Sequence, residues 1–319
     1  MSATVLVTGV GGGSGAYTSK ILKETGYEVI GVDCNGYAMG CTLVDHFCVV
    51  PPVRDRLQFT RAIRALQARF NVDVILPNVD DELLTFAEEF HRREVVISPA
   101  PTVDICLDKY ATWKEFYGVV DIPMTYLYQH HTGWMGFVGG VVVKPRRGRG
   151  SKDVYTFDGA WQASKCEFMF KDKDFVVQQW INGEEYTVDA YCFGEYTTEH
   201  LVFPRKRMST YGGISQVGWT QMDKDIIEAA NKVINHLDFH GPINIQFIKN
   251  DDGVFLIEIN PRLSGGIGIT YANGVNLPDI TVKRHLGIEW EWPTIKEEIV
   301  YRYLTEGKDE STNRDGGGF

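Results

Sequence analysis

Two apolar runs toward the C-terminal end, Ile243-Asn-Ile-Gln-Phe-Ile248 and Gly253-Val-Phe-Leu-Ile-Glu-Ile259, are joined by Asn250-Asp-Asp-Gly253, a hairpin signature. Glu258 and Asn260 lie two residues apart, so on a strand they present oxygen atoms to one face, and Gln246 on the partner strand adds a third. Oxygen ligands with few carboxylates leave room for water and phosphate, which suits Mg²⁺ held through a nucleotide. Arg262, just past the strand, is placed to neutralise charge on a phosphoryl group in transfer or on an acyl phosphate. An edge hairpin with a salt-bridged arginine is the plainer alternative.

A second group lies upstream. Val141-Val-Val-Lys144 ends a strand on a lysine, and the loop that follows runs through Gly148, Arg149, Gly150 and Ser151. Glycines let backbone N–H groups face phosphate oxygens and the lysine adds a point charge, although a solvated basic turn would look the same. The spacing is not that of a Walker A loop. Gln178-Gln179-Trp180-Ile181 joins one strand to the next and can present backbone groups to an adenine edge, with Glu185 set to accept hydrogen bonds from ribose hydroxyls. The stretch 204–220 reads as a long loop in which Arg205 or Arg207 could grip a carboxylate bidentately, and Ser264 and Gly265 could approach the reacting groups through backbone N–H. Gly9-Val-Gly-Gly-Gly-Ser-Gly15 sits where a dinucleotide fingerprint would, with Asp33 ending the next strand. Its third glycine comes one residue late, so a tight turn for close helix–sheet packing competes with a nicotinamide site.

Elements must hold these groups. Strands at 4–8, 29–33, 46–50, 72–77 and 95–98 alternate with helical patterns near 57–70 and 81–92, which predicts a parallel, doubly wound sheet. After Pro99-Ala-Pro101 the texture changes to antiparallel strands with helices, and a polar, Gly-rich tail closes the chain.

A chain of 319 residues, 44% hydrophobic and 23% charged, is long enough for two or three packed lobes and excludes disorder. With 32 Lys and Arg against 42 Asp and Glu the net charge is −10, which argues against a nucleic-acid polymer or an anionic membrane as partner and singles out Lys144-Pro-Arg-Arg-Gly-Arg149. No apolar run suggests a membrane span, and the N-terminus leads into a strand instead of a basic signal peptide, so a cytoplasmic setting is expected. Six scattered cysteines without a CxxC pair read as reduced thiols, and His130-His131 lacks ligand partners at metal-binding spacing.

In this order and spacing the motifs resemble the ATP-grasp superfamily, on the branch similar to the synthetase domains of the carbamoyl phosphate synthase large subunit, over nearly the whole chain. The resemblance implies an α/β plus α+β fold: a Rossmann-like parallel sheet over 1–105, two ATP-grasp subdomains over 106–175 and 176–305, and a tail over 306–319. It implies that Lys109 and Lys144 contact the nucleotide phosphates and that Gly148–Ser151 is the mobile glycine-rich loop. Gln178 to Ile181 would be the adenine hinge, with Gln178 where the family often has Glu, and Glu185 the ribose acid. Gln246, Glu258 and Asn260 would be metal ligands, with Arg262 and Lys144 catalytic. The implied activity is an Mg-ATP-dependent carboxylate–amine ligase, for amino acids or peptides, working through an acyl phosphate and releasing ADP and phosphate; Mn²⁺ could replace Mg²⁺, and a homodimer stays open. A carbamoyl phosphate synthase-like phosphorylation of a small carboxylate or carbamate, a non-catalytic ATP-binding module and, last, an NAD-dependent oxidoreductase are the alternatives.

Overall fold

The structure, a computed structural model, describes residues 3–129, 131–150, 152–170, 173–194, 200–303 and 307–308. Four parallel strands open the chain: β1 (Thr4–Thr8), β2 (Glu28–Asp33), β3 (His46–Val49) and β4 (Val74–Leu76), in the order β3-β2-β1-β4. Alternate residues feed opposite cores. Leu6, Ile30 and Ile75 pack with Phe59, Ile63 and Phe86 on one face, while Val5, Val7, Val29 and Val74 pack with Leu22 on the other. Burial on both faces is why these strands read as continuous apolar runs in the sequence. The fifth strand expected at 95–98 is a single parallel bridge between Val95 and Ile75.

Helices Ala100–Leu107 and Lys109–Phe116 lead into a four-stranded antiparallel sheet. Its strands are β5 (Thr125–Leu127), β6 (Val141–Pro145), β7 (Tyr155–Phe157) and β8 (Phe175–Gln179), in the order β5-β8-β6-β7. Because β8 pairs with β5 as far as Gln178 and with β6 as far as Gln179, the small sheet extends past the boundary expected at residue 175.

The largest sheet holds six strands in the order β13-β12-β9-β10-β11-β14: β9 (Glu184–Phe193), β10 (His200–Tyr211), β11 (Ile214–Thr220), β12 (His240–Asn250), β13 (Gly253–Asn260) and β14 (Ile299–Tyr301). One face is apolar. Val188, Ile245, Phe247 and Leu256 pack there against Ile226, Ala230 and Val233 of helix Lys224–Ile234. The stretch expected as a loop at 204–220 is instead the β10–β11 hairpin, turned at Gly212 and Gly213 with φ of 56° and 75°. Two successive positive φ values are what a tight hairpin turn requires, so Tyr211-Gly-Gly-Ile214 was the overlooked signal.

The glycine turn after β1 is a packing device. Gly9 has φ of 63°, and a Cβ there would stand 2.1 Å from Val79 Cγ2. Ser14 in the next helical turn donates its hydroxyl to Asn78 Oδ1 at 2.6 Å and reaches Leu263 O at 2.8 Å, joining the first lobe to the segment just past β13. Replacing Gly9 with Ala should destabilise the protein by about 1–3 kcal/mol, through backbone strain and the clash with Val79, read as a lower urea midpoint at unchanged m.

Candidate functional site

The row of Gln246, Glu258 and Asn260 on β12 and β13, the candidate ligand row, depends on an irregularity. Gln246 pairs with Glu258, but the next pair is Phe247 with Leu256, so Ile257 is an extra residue in β13. Val254 and Leu256 face the apolar core on one side of this bulge and Ile259 faces it on the other. Without the extra residue, strict alternation would send Glu258 and Asn260 into that core with Leu256. With it, both side chains share the polar face with Gln246 and Asn244, the latter paired with Asn260. Asn260 Nδ2 donates to Asn244 Oδ1 at 3.3 Å, which leaves Asn260 Oδ1 turned away from that bond. Gln246 Oε1 accepts from Arg207 Nη1 at 3.1 Å. Among the described residues no three His, Cys, Asp or Glu side chains gather as a metal site. A row with one carboxylate and two amides fits a divalent cation that takes its other ligands from phosphate and water.

Arg262 is gripped across the chain by Asp80, the first residue of helix Asp80–Glu89. Nε donates to Oδ1 at 2.6 Å and Nη2 to Oδ2 at 2.8 Å, while Nη1 donates to Leu263 O at 2.9 Å. A guanidinium has five N–H donors, so two remain for a ligand, in an orientation set by the fork. Burial alone would lower the Arg262 pKa, but the Asp80 and Glu258 carboxylates hold it above its ordinary value. Sequence reasoning missed Asp80. The run Asp80-Asp-Glu82 at a helix start was the available sign, and it also fits plain helix-dipole pairing.

Lys144 on β6 is buried, with Nζ donating to Gln178 Oε1 at 2.8 Å, while Gln178 Nε2 donates to Thr125 Oγ1 at 2.9 Å. Burial, with repulsion from Lys109, pulls its pKa down to about 8 against the attraction of Glu258. Lys109 begins helix Lys109–Phe116 and its Nζ donates to Gly148 O at 3.0 Å, bracing the glycine loop. The arginines of the basic stretch are matched by acids: Arg146 with Asp108 at 2.6 Å, Arg147 with Asp104 at 2.8 Å and Arg149 with Asp81 at 3.1 Å. Among the described residues Lys144 forms no ion pair. Burial would raise the Asp108 pKa, but Arg146 and the Ala111 N–H outweigh it and hold the carboxyl below its usual range. Ser151 and His130, and the side chain of His131, lie outside the described residues.

The hinge crosses from β8 in the small sheet to β9 in the large one. Gln179 N–H bonds Met124 O and Trp180 N–H bonds Gly140 O, both at 2.9 Å, so the backbone of Ile181 follows two anchored peptides. Trp180 and Glu185 are exposed, and Glu185 pairs with Arg207 at 3.2 Å. Arg207 also donates to Gly213 O at 2.8 Å, which holds the hairpin turn beside the ligand row.

The expectation that Arg205 grips a substrate is corrected. The side chain is 2% exposed, does not reach the cavity, and donates from each of its three nitrogens, to Asp189 at 2.9 Å, Ser215 at 2.9 Å and Ser264 at 3.0 Å. Arg205 therefore positions the segment after Arg262: it holds the Ser264 hydroxyl, and a Cβ at Gly266 would stand 2.5 Å from its Nη2.

Arg207, Gln246, Glu258, Asn260, Arg262 and Gly265 meet Arg149 and Gly150 of the glycine loop around one cavity of about 660 Å³. Its opposite wall comes from the first lobe: Gly9, Gly11 to Ser14, Asp33, Cys34 and Asn78 to Glu82. Lys109, Lys144, Gly148, Gln178 to Ile181, Glu185, Arg205 and Ser264 do not line it. The candidate residues thus fall into a cavity group and a group along the small sheet and hinge.

Residues 171–307 match the family model for ATP-grasp in the biosynthetic pathway with Ter operon, and residues 5–97 match the PylC-like N-terminal domain. The carbamoyl phosphate synthase large chain of Agathobacter rectalis is 28% identical over 129 residues, 37% of this chain and 12% of that protein. The arginine-specific large chain of Bacillus subtilis is 24% identical over 195 residues, 50% of this chain and 18% of that one. The chain thus spans less than a fifth of these curated relatives. Among solved structures, the N5-carboxyaminoimidazole synthetase of Staphylococcus aureus complexed with ADP superposes with a TM-score of 0.73 at 14% identity, covering 94% of this chain and 80% of that one. The L-amino acid ligase of Bacillus licheniformis gives a TM-score of 0.68 at 14% identity, covering 92% and 75%. A parallel first lobe followed by two antiparallel-sheet subdomains is the fold these solved structures share, the ATP-grasp fold, and the C-terminal part of the chain matches an ATP-grasp family model. Its sequence is similar to parts of the carbamoyl phosphate synthase large chain.

Removing Asp80 by Asp80→Ala strands a buried guanidinium, so unfolding free energy should fall by about 3–5 kcal/mol in urea titrations. Lys144 is an ammonium below about pH 8 and a neutral amine above it. ADP affinity measured by calorimetry should therefore weaken as pH rises from 7 to 9.5, and Lys144→Arg should flatten that dependence.

Proposed function

We propose that this protein is an Mg-ATP-dependent ligase that joins a carboxylate to an amine through an acyl phosphate and releases ADP and phosphate, with amino acids or peptides as its substrate class. The observation that carries the reading is the convergence of the ligand row, the half-free Arg262 fork and the glycine loop on one cavity.

A carboxylate is a poor electrophile, and phosphorylation supplies a leaving group. Lys109 and Lys144 would hold nucleotide phosphates, the Ile181 backbone the adenine edge and Glu185 the ribose. Gln246, Glu258 and Asn260 would hold Mg²⁺ or Mn²⁺, which offsets phosphate charge when bound. The two remaining N–H donors of Arg262 would meet the transferring phosphoryl and then the oxyanion that forms when nitrogen attacks. Asp80 fixes that fork in advance, so no reorientation is needed at the moment of transfer. The first-lobe wall would shape the acceptor site. The six free thiols, and the lack of any described helix long and apolar enough to cross a membrane, support a cytoplasmic setting.

Phosphate release should require an acid substrate, and hydroxylamine should trap the acyl phosphate as a hydroxamate; formation of AMP and pyrophosphate would refute the reading. Glu258→Gln should lower phosphate release by at least a hundredfold while ADP still binds.

A further inference from the structure

The first-lobe wall of the cavity carries four carboxylates, and their partners differ. Asp80 is spent on Arg262 and Asp81 on Arg149. Asp33 accepts the N–H groups of Gly11 at 2.8 Å and Asn35 at 2.9 Å. Glu82 also lines the cavity but is in no ion pair, and its Oε2 accepts no hydrogen bond, among the described residues. A buried carboxylate oxygen left bare beside a substrate cavity is costly unless something that enters the cavity completes it.

We propose that Glu82 receives the nitrogen of the amine substrate, holding it as an ammonium and then taking one of its protons before it attacks the acyl phosphate. This assignment rests on the ligase reading above. Charge around Glu82 favours a cation: Asp33 at the end of β2 and Asp81 on its own helix stand against Arg149 from the glycine loop, which Asp81 already neutralises, while the nearby Cys34 thiol, pushed up by burial and by Asp33, stays neutral. The Thr8 hydroxyl at the end of β1 hydrogen-bonds the carboxylate, and the exposed Arg54 and Lys152 also line the cavity. Burial, reinforced by Asp33 and Asp81, lifts the Glu82 pKa to about 7 despite Thr8 and Arg149, which suits a group that must both pair with an ammonium and accept its proton.

The proton balance closes. An ammonium gives one proton to Glu82 and becomes a nucleophilic amine. Its nitrogen forms the C–N bond as the C–O bond to phosphate breaks, and the second proton leaves with inorganic phosphate.

The test supplies ATP, Mg²⁺ and an equimolar mixture of proteinogenic L-amino acids as both acid and amine, reading condensed product by mass spectrometry and hydroxamate in a parallel reaction with hydroxylamine. Hydroxylamine is largely unprotonated at neutral pH and does not need Glu82. Glu82→Gln should lower amide formation by about a hundredfold, keep hydroxamate formation within twofold, and abolish the rise in wild-type amide formation as pH passes 7. Unchanged ADP affinity in the variant shows that the fold and nucleotide site are intact. Equal loss of both products, or loss of neither, would overturn the assignment alone. Absence of hydroxamate and amide from the wild-type protein would overturn the ligase reading and this assignment with it.

Discussion

The bidentate pair between Asp80 and Arg262 joins two parts of the chain that are 182 residues apart in sequence. It couples the helix after β4 to the end of β13, so the orientation of Arg262 is a property of both lobes. Ser14 reinforces the join through Asn78 and Leu263, and Arg205 fixes the far side of the same segment through Ser264. Three polar clamps on residues 262–264 replace the freedom a loop would have. Buried charge pairs of this kind add little net stability, yet a lone buried partner is expensive, so the pair acts on geometry more than on folding energy.

The basic stretch in an acidic protein resolves into internal charge matching. Arg146, Arg147 and Arg149 each meet an aspartate, and those bonds shape the loop and fasten it to the helices on either side. Lys144, at the head of the stretch, has no such match among the described residues and is buried and bonded to a neutral amide. Desolvation has made that ammonium the least comfortable charge in the stretch, so an entering anion relieves it. The arginines build the wall and the lysine faces the vacancy in charge.

Much of this was legible in the sequence because periodicity and order carry it. The parallel lobe followed from apolar runs, the β12–β13 hairpin from Asn-Asp-Asp-Gly, and the shared face of Glu258 and Asn260 from their i, i+2 spacing. What escaped depended on long-range geometry. Asp80 looks like any acid at a helix start until the fold brings Arg262 to it. Arg205 looks like a surface cation in a basic run, and only the pairing of β9 with β10 sets it over Asp189. The β10–β11 hairpin was missed because Arg205 to Arg207 broke the apolar pattern, although a buried polar network and the Gly212-Gly213 turn make it a regular hairpin.

The bulge at Ile257 gives β13 a kind of reading frame. Upstream of it the even-numbered residues face the core and downstream of it they face the cavity, and one added peptide unit separates the two settings. A single-codon deletion or insertion there would exchange the fates of Glu258 and Ile259 while leaving composition and hydropathy almost untouched. Relatives that differ in length by one residue at this point would therefore align well by sequence yet present different faces to the cavity, and strand phase becomes a better criterion of an equivalent site than residue identity.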